Sequence, residues 1–129
     1  MGQQQILLVI VGVIIIGLSI ILAIQLFDVN ALEANRDAVY ADTMNLAGVA
    51  QHYYQVPQML SGGGGSFVGF TLPEEFNQTG NGTYTVSNIT ANTITIIGVG
   101  KELDAEGRSY QVTTVVTPTN IQSSSSVLQ

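Results

Sequence analysis

The 129-residue sequence predicts an α+β fold in which one long N-terminal helix packs against a small antiparallel β-meander. Two observations support this class. An uncharged apolar run occupies residues 6–27 and continues, without a proline, into a segment that carries a single apolar stripe. Three segments rich in β-branched residues follow towards the C-terminus, separated by short polar turns.

Residues 1–27 are predicted to form a hydrophobic helix that either crosses a membrane or lies in a filament core. The 22 positions from 6 to 27 make a helix of about 33 Å, close to the roughly 30 Å hydrocarbon core of a bilayer. A cleaved signal peptide is a weaker interpretation, because glutamines occupy positions 3–5 where basic residues would precede it. A buried core helix is weaker still, since the remaining chain is too small to cover a helix that is apolar on every face. The acidic residues that begin at Asp28 favour an outer C-terminal part.

Residues 28–56 are predicted to continue the helix in amphipathic form, with one apolar stripe that needs a partner. The stripe consists of Leu32, Val39, Leu46 and Tyr53, with Val29, Ala47 and Ala50 alongside. Residues 57–82 are predicted to be a Gly-rich linker and loop, because four consecutive glycines at 62–65 give the backbone unusual freedom. This run lacks the Lys-Ser/Thr pair or the G-x-G-x-x-G spacing of a nucleotide-binding loop.

Residues 83–122 are predicted to form the small antiparallel sheet, with strands at 83–89, 93–99 and 109–116. The short polar connections between them suit hairpins. Three short strands with one apolar face need a cover, and the amphipathic half of the helix is the partner that the sequence offers. Residues 123–129 have the serine-rich composition of a flexible tail.

Composition excludes several classes of function. The chain has no cysteine, which removes disulfides and thiolate chemistry. Its formal charge of −6 has the wrong sign for nucleic-acid phosphates, so we expect no nucleic-acid partner. The single histidine, His52, is expected to be a packing or surface residue. We therefore predict no enzyme, no metal site and no cofactor.

Two patterns remain as candidate sites outside the helix. Asn77, Asn81 and Asn88 each begin an Asn-x-Ser/Thr sequon and are candidate glycosylation acceptors. Residues 102–107 resemble the opening of a calcium loop, but Thr113 stands where the closing glutamate should be. A solvated hairpin turn is therefore the favoured interpretation of the acidic segment.

Candidate subunit-packing residues lie in the apolar run itself. Small side chains let helices approach closely in a membrane or a bundle, and the run contains Gly12, Gly17, Ser19 and Ala23. Gln5 and the two glutamines before it have two interpretations. Their amides either cap a membrane helix at the interface or satisfy buried polar groups when helices bundle.

This order of segments resembles the type IV pilin family, including its pseudopilin relatives. The most specific part is residues 5–12, QILLVIVG, which is similar to the family's opening, where a glutamate precedes the apolar run. Gln5 holds that position here, and a neutral amide can donate a hydrogen bond but cannot form the ion pair that the family's glutamate is thought to make with a neighbouring subunit's amine. Met1 and Gly2 are at most a remnant of the basic leader found on pilin precursors, so processing of the N-terminus stays open.

The resemblance implies a structural subunit of an extracellular helical filament, such as a type IV pilus or fimbrium, at the cell surface. The subunit would be held in the cell membrane before assembly, would form a homo-oligomer through its N-terminal helices, and would have the pilus assembly machinery as a partner. The alternative is a single-pass membrane protein with a small outer domain, such as a minor pilin-like component of a secretion or adhesion apparatus.

Overall fold

The computed structural model describes residues 2–128, and the predictions made for Met1 and Gln129 lie outside this range. The fold class is confirmed: one long helix packs against a four-stranded antiparallel sheet. The helices are α1 (Gly2–Gln55), a 3₁₀ turn (Gln58–Leu60) and α2 (Glu74–Asn77), and the strands are β1 (Gly82–Ser87), β2 (Ile94–Leu103), β3 (Ser109–Val116) and β4 (Ile121–Val127). The chain divides into two compact units, Met1–Ala31 and Leu32–Gln129.

The first unit consists of the N-terminal part of α1. The helix contains no proline or charged residue between positions 6 and 27, and the glycines in this stretch do not interrupt it. Isoleucine, leucine and valine dominate, and their large side chains are exposed all round the helix. The helix also includes the glutamines at positions 3–5, which precede the apolar run.

In the second unit, α1 buries one face against the sheet. The buried side chains are Val39, Thr43, Leu46, Ala47 and Ala50, whose spacing of three and four residues is that of a single helix face. The predicted stripe is therefore confirmed at its centre, whereas Leu32 and Tyr53 are half-buried and Val29 is exposed. Thr43 is not part of the predicted stripe, and its hydroxyl donates to the Tyr40 carbonyl at 2.8 Å, so this buried group is satisfied within the helix.

The sheet runs in the order β1-β2-β3-β4, and each neighbouring pair is antiparallel. The three predicted strands are present close to their predicted bounds. The prediction of a flexible tail over 123–129 is wrong for the residues up to Val127, which pair with β3 as a fourth strand. Strand pairing uses backbone groups, so a serine-rich segment can take part in it. Ile121 and Val127, at the two ends of β4, are half-buried.

On the face of the sheet that meets α1, the side chains of β2 become smaller along the strand. The buried positions of β2 are Ile94, Ile96, Gly98 and Gly100, so the second half of this row has no side chains. A Cβ at Gly98 would lie 2.9 Å from Val39 Cγ1 and from Thr43 Cγ2 of the helix. The two glycines therefore provide the room that α1 occupies.

The glycine-rich segment is a closed cap on the end of α1, which corrects the prediction that it is a linker. The N–H groups of Gly63 and Gly65 donate to the carbonyls of Tyr53 and Tyr54 at 2.7 and 2.8 Å. These carbonyls belong to the last turn of the helix, which has no intrahelical partner for them. Gly65 has φ +90°, a conformation that explains the need for glycine there.

Two phenylalanines that follow this cap complete the core. Phe67 and Phe70 are buried, and their rings pack against Tyr54 and Tyr53 with centroid distances of 4.9 and 5.4 Å. The segment 57–82 thus closes one end of the helix and sheet rather than separating two elements.

Candidate membrane and subunit-packing surface

The apolar segment, residues 6–27 of α1, is the most unusual surface among the described residues. Its large apolar side chains range from 45% exposed at Val11 to 75% exposed at Phe27. Monomeric soluble proteins rarely expose a contiguous apolar patch beyond about 300–600 Å². The helix is long and apolar enough to cross a bilayer. A surface of this kind is compatible with membrane association and is typical of sites where lipid or another protein binds.

Four of the five predicted packing residues share one face of the helix. Successive residues turn by about 100°, so Gln5, Gly12, Ser19 and Ala23 fall within about 40° of one another. Gly17 lies about 120° away from Gln5 on this geometry. We call the four residues on one face the small-residue stripe. Gly17 is therefore available to a different neighbouring helix from the one that contacts the stripe.

The small residues leave open space on the helix surface. A Cβ placed on Gly12 or on Gly17 would meet no atom within 4 Å. The Ser19 hydroxyl donates to the Ile15 carbonyl at 2.8 Å, one turn earlier. This internal hydrogen bond lets Ser19 face lipid or another helix without an unsatisfied donor. The stripe is thus compatible with close helix packing.

Three polar side chains on α1 hold the helix to the sheet, and no sequence pattern distinguishes them from the other polar residues of the helix. Asn35 donates from Nδ2 to the Asn81 carbonyl at 2.8 Å and accepts the Glu102 N–H at Oδ1 at 3.2 Å. Gln51 donates to the Thr117 carbonyl at 3.0 Å, near the other end of the sheet. These three hydrogen bonds fix the position of the helix along the sheet.

Asp42 is the third of these side chains and accepts two hydrogen bonds at Oδ2. One comes from the Tyr84 hydroxyl at 2.5 Å and the other from Asn81 Nδ2 at 2.9 Å. Burial of the phenol, reinforced by the hydrogen bond to Asp42, raises the pKa of Tyr84 above its ordinary value. Tyr84 therefore stays neutral and remains a donor across the physiological range of pH.

The three sequons lie in different environments. Asn77 and Asn88 are exposed, and Asn88 has φ +50° next to the β1–β2 turn. Asn81 is half-buried, and its amide nitrogen is the donor to Asp42. A glycan on Asn81 would replace one of the hydrogens of that nitrogen within the contact between helix and sheet. The geometry therefore favours Asn77 and Asn88 as acceptors.

The acidic turn after β2 is held by its own charges. Asp104 accepts the backbone N–H groups of Glu106 and Arg108 and is bridged by the Arg108 guanidinium at 3.0 Å. The hydrogen bond from the Arg108 backbone is the main cause of the lowered pKa of Asp104. This is the hairpin turn that the sequence favoured over a calcium loop. Within residues 2–128, no group of three His, Asp or Glu side chains is arranged to hold a metal ion.

Comparison with known proteins identifies no relative of the chain. No family model matches the chain, and neither a curated protein nor a solved structure matches it. The resemblance to pilins therefore rests on the order of segments in the chain itself.

Proposed function

We propose that the chain is a structural subunit of a helical filament at the cell surface, assembled through its N-terminal helices. The observation that carries the proposal is the apolar segment, which is uncharged and exposed on every side of a helix that continues into a folded domain. The order of segments, which resembles that of pilins, supports it. In this proposal the segment lies in the membrane before assembly and is surrounded by copies of itself afterwards.

The energetic requirement for such assembly is close packing. A helix that leaves lipid for a protein bundle gains little hydrophobic energy, because lipid tails are as apolar as leucine side chains. Van der Waals contact must then stabilise the bundle, and it needs places where two backbones can approach. Gly12 and Gly17 provide open space on two faces of the helix, so one subunit can contact more than one neighbour. Contacts between unlike faces generate an open helical polymer when the rotation from one subunit to the next does not close a ring.

Gln5 fits this arrangement as a neutral partner. It lies in the first turns of α1, where backbone N–H groups have no intrahelical acceptor. An amide side chain can accept such an N–H from its own or a neighbouring helix, and it can also donate. The contact would be a hydrogen bond without an ion pair, so we expect assembly to depend only weakly on pH at this position.

A second candidate is a single-pass membrane protein with a small outer domain that never polymerises, such as a minor component of a secretion or adhesion apparatus. The match between the apolar segment and the thickness of a bilayer favours it equally. The two candidates differ in where the mature chain is found.

The separating experiment is mechanical shearing of cells, followed by electron microscopy and mass spectrometry of the sheared material. Thin filaments that contain this chain, with its apolar segment intact, support the first candidate. Recovery of the chain from the membrane fraction alone, with no filament in the sheared material, would contradict it and support the second. A marker protein of the membrane serves as the control for contamination.

A further inference from the structure

The two outer strands of the sheet differ in how their free edges are protected. Gln78 forms an antiparallel bridge with Thr83 at the edge of β1, and the Thr79 N–H donates to the Gly82 carbonyl at 2.9 Å. The edge of β4 pairs with nothing else among residues 2–128. Natural proteins usually protect such an edge with charges, proline or a bulge. β4 has the sequence IQSSSSV and contains no charge or proline, and its register with β3 is uninterrupted.

The hydrogen bonds at both ends of the β3–β4 hairpin show which backbone groups face this edge. The Thr117 N–H donates to the Asn120 carbonyl at 2.8 Å, and the Leu128 N–H donates to the Ser109 carbonyl at 2.9 Å. Directly opposite residues that exchange such bonds alternate with residues whose N–H and C=O point away. Even-numbered positions in β4 therefore bond to β3, and the backbone groups of positions 121, 123, 125 and 127 point to the free edge.

The sequence of β4 is self-complementary about its central residue. If a second β4 lies antiparallel with Ser124 opposite Ser124, each outward-facing position meets another outward-facing position. The pairs that face each other are Ile121 with Val127, Gln122 with Ser126, and Ser123 with Ser125. Apolar residues then meet at both ends, and serine hydroxyls meet between them. We propose that β4 pairs in this register with β4 of a second copy of this chain.

This pairing supplies partners for groups that the single chain leaves at its edge. The backbone groups of Ser123 and Ser125 gain hydrogen bonds, and the Val127 N–H gains the Ile121 carbonyl as acceptor, while the Ile121 N–H already donates to Asn120 Oδ1 at 2.9 Å. Ile121 and Val127 are half-buried in one chain, and each covers the other across the new contact. Because serine side chains are short and uncharged, no repulsion or bulk opposes the approach.

The pairing also fixes the relative direction of the two copies. The two-fold axis of an antiparallel strand pair is perpendicular to the sheet, and residues 32–55 of α1 lie along the face of that sheet. The axis therefore reverses this part of the helix in the second copy. On the proposed function, helices within one filament run in the same direction. The β4 contact would then join subunits of two oppositely directed filaments and bundle them side by side.

The chain has no cysteine, so a single introduced cysteine tests the register directly. In the proposed pair, Ser124→Cys faces itself at a position that is not hydrogen-bonded between the copies, where Cα atoms lie about 4.5 Å apart. Disulfides need Cα separations of about 4.4–6.8 Å. In the matched control, Ser126→Cys, the two thiols are four positions out of register, about 14 Å apart. Both side chains are exposed, so both variants should fold.

The assay is mild oxidation of the purified full-length chain in detergent, followed by gel electrophoresis without reductant. We expect most of the Ser124→Cys chain to become a covalent dimer and the Ser126→Cys chain to remain monomeric. Equal cross-linking of the two variants, or none with Ser124→Cys, would overturn the proposal. The result does not depend on whether filaments form, so this proposal and the filament proposal can fail separately.

A second variant tests whether the backbone edge is responsible. The Ser125 N–H points away from β3, so proline at this position removes an outward donor without removing a bond of the β3–β4 ladder. Ser124→Cys combined with Ser125→Pro should lose at least nine-tenths of the covalent dimer while circular dichroism shows the same fold. Retention of the dimer in this double variant would show that contact is not made through β4 pairing.

Discussion

Replacing Gly98 with alanine should destabilise the domain formed by the second half of α1 and the sheet. The new methyl group would lie 2.9 Å from Val39 Cγ1, Thr43 Cγ2 and Tyr84 Cε1, whereas carbon atoms in contact are about 3.5–4.0 Å apart. Tyr84 cannot turn away freely because its hydroxyl is bonded to Asp42. Overpacking costs about 1–3 kcal/mol and the entropy of removing a glycine returns about 0.5–1 kcal/mol, which leaves a net loss of about 0–2.5 kcal/mol, and we expect about 1–2 kcal/mol, the middle of that range.

The assay is thermal unfolding of the full-length chain in detergent, monitored by the near-ultraviolet circular dichroism of its tyrosines. In a domain of this size each kcal/mol moves Tm by about 4–8 °C, so Gly98→Ala should lower Tm by roughly 4–16 °C. The control is Gly48→Ala on the exposed face of the same helix, where a Cβ meets nothing within 4 Å. That change should stabilise the helix by up to about 1 kcal/mol. An unchanged or higher Tm for Gly98→Ala would refute the close approach of helix and sheet.

Three further predictions concern the contact between helix and sheet, the packing surface and the sequons. Tyr84→Phe should cost about 1–3 kcal/mol in urea unfolding at pH 7, because it removes a hydrogen bond to a carboxylate. The raised pKa of Tyr84 favours the neutral phenol in the folded state, so the contribution of this phenol to stability is complete below pH 10.0, its ordinary pKa, and is lost as the pH rises towards the raised pKa. Tyr84→Phe should therefore flatten the decline in the free energy of unfolding above pH 10.0. An unchanged decline would contradict the assignment. Gly12→Leu and Gly17→Leu should each lower filament yield in sheared fractions without reducing membrane insertion, because the new side chains meet nothing in the single chain; normal yield for both would count against helix packing. In the native source, mass spectrometry of glycopeptides should find a glycan on Asn88 and none on Asn81, and an Asn81 glycopeptide would show that the helix contact is dispensable.

The fold class and most strand positions follow from local patterns, but two segments do not. The glycine run at 62–65 has the composition of a flexible linker, yet its N–H groups bond to the last carbonyls of α1. The serine run at 123–126 has the composition of a tail, yet it pairs with β3. In both cases the backbone makes the decisive hydrogen bonds, and side-chain composition carries little information about them.

The polar contacts of α1 could not be predicted from local sequence patterns either. Asp42 meets Tyr84 and Asn81 only because the chain returns after about forty residues, and no spacing rule connects those positions. By contrast, the small-residue stripe depends only on helical geometry, because residues seven or eighteen apart return to nearly the same face of a helix. Gly17 lies on another face, so the five predicted packing residues do not form a single surface.

The central claim is that the apolar segment ends up surrounded by copies of itself. Cryo-electron microscopy of sheared filaments measures this directly, because it locates each helix relative to the filament axis. The account predicts that residues 6–27 form a bundle of helices at the axis, with the four-stranded sheets on the outside. Filaments with residues 6–27 at the periphery, or a mature chain from which they have been removed, would contradict it.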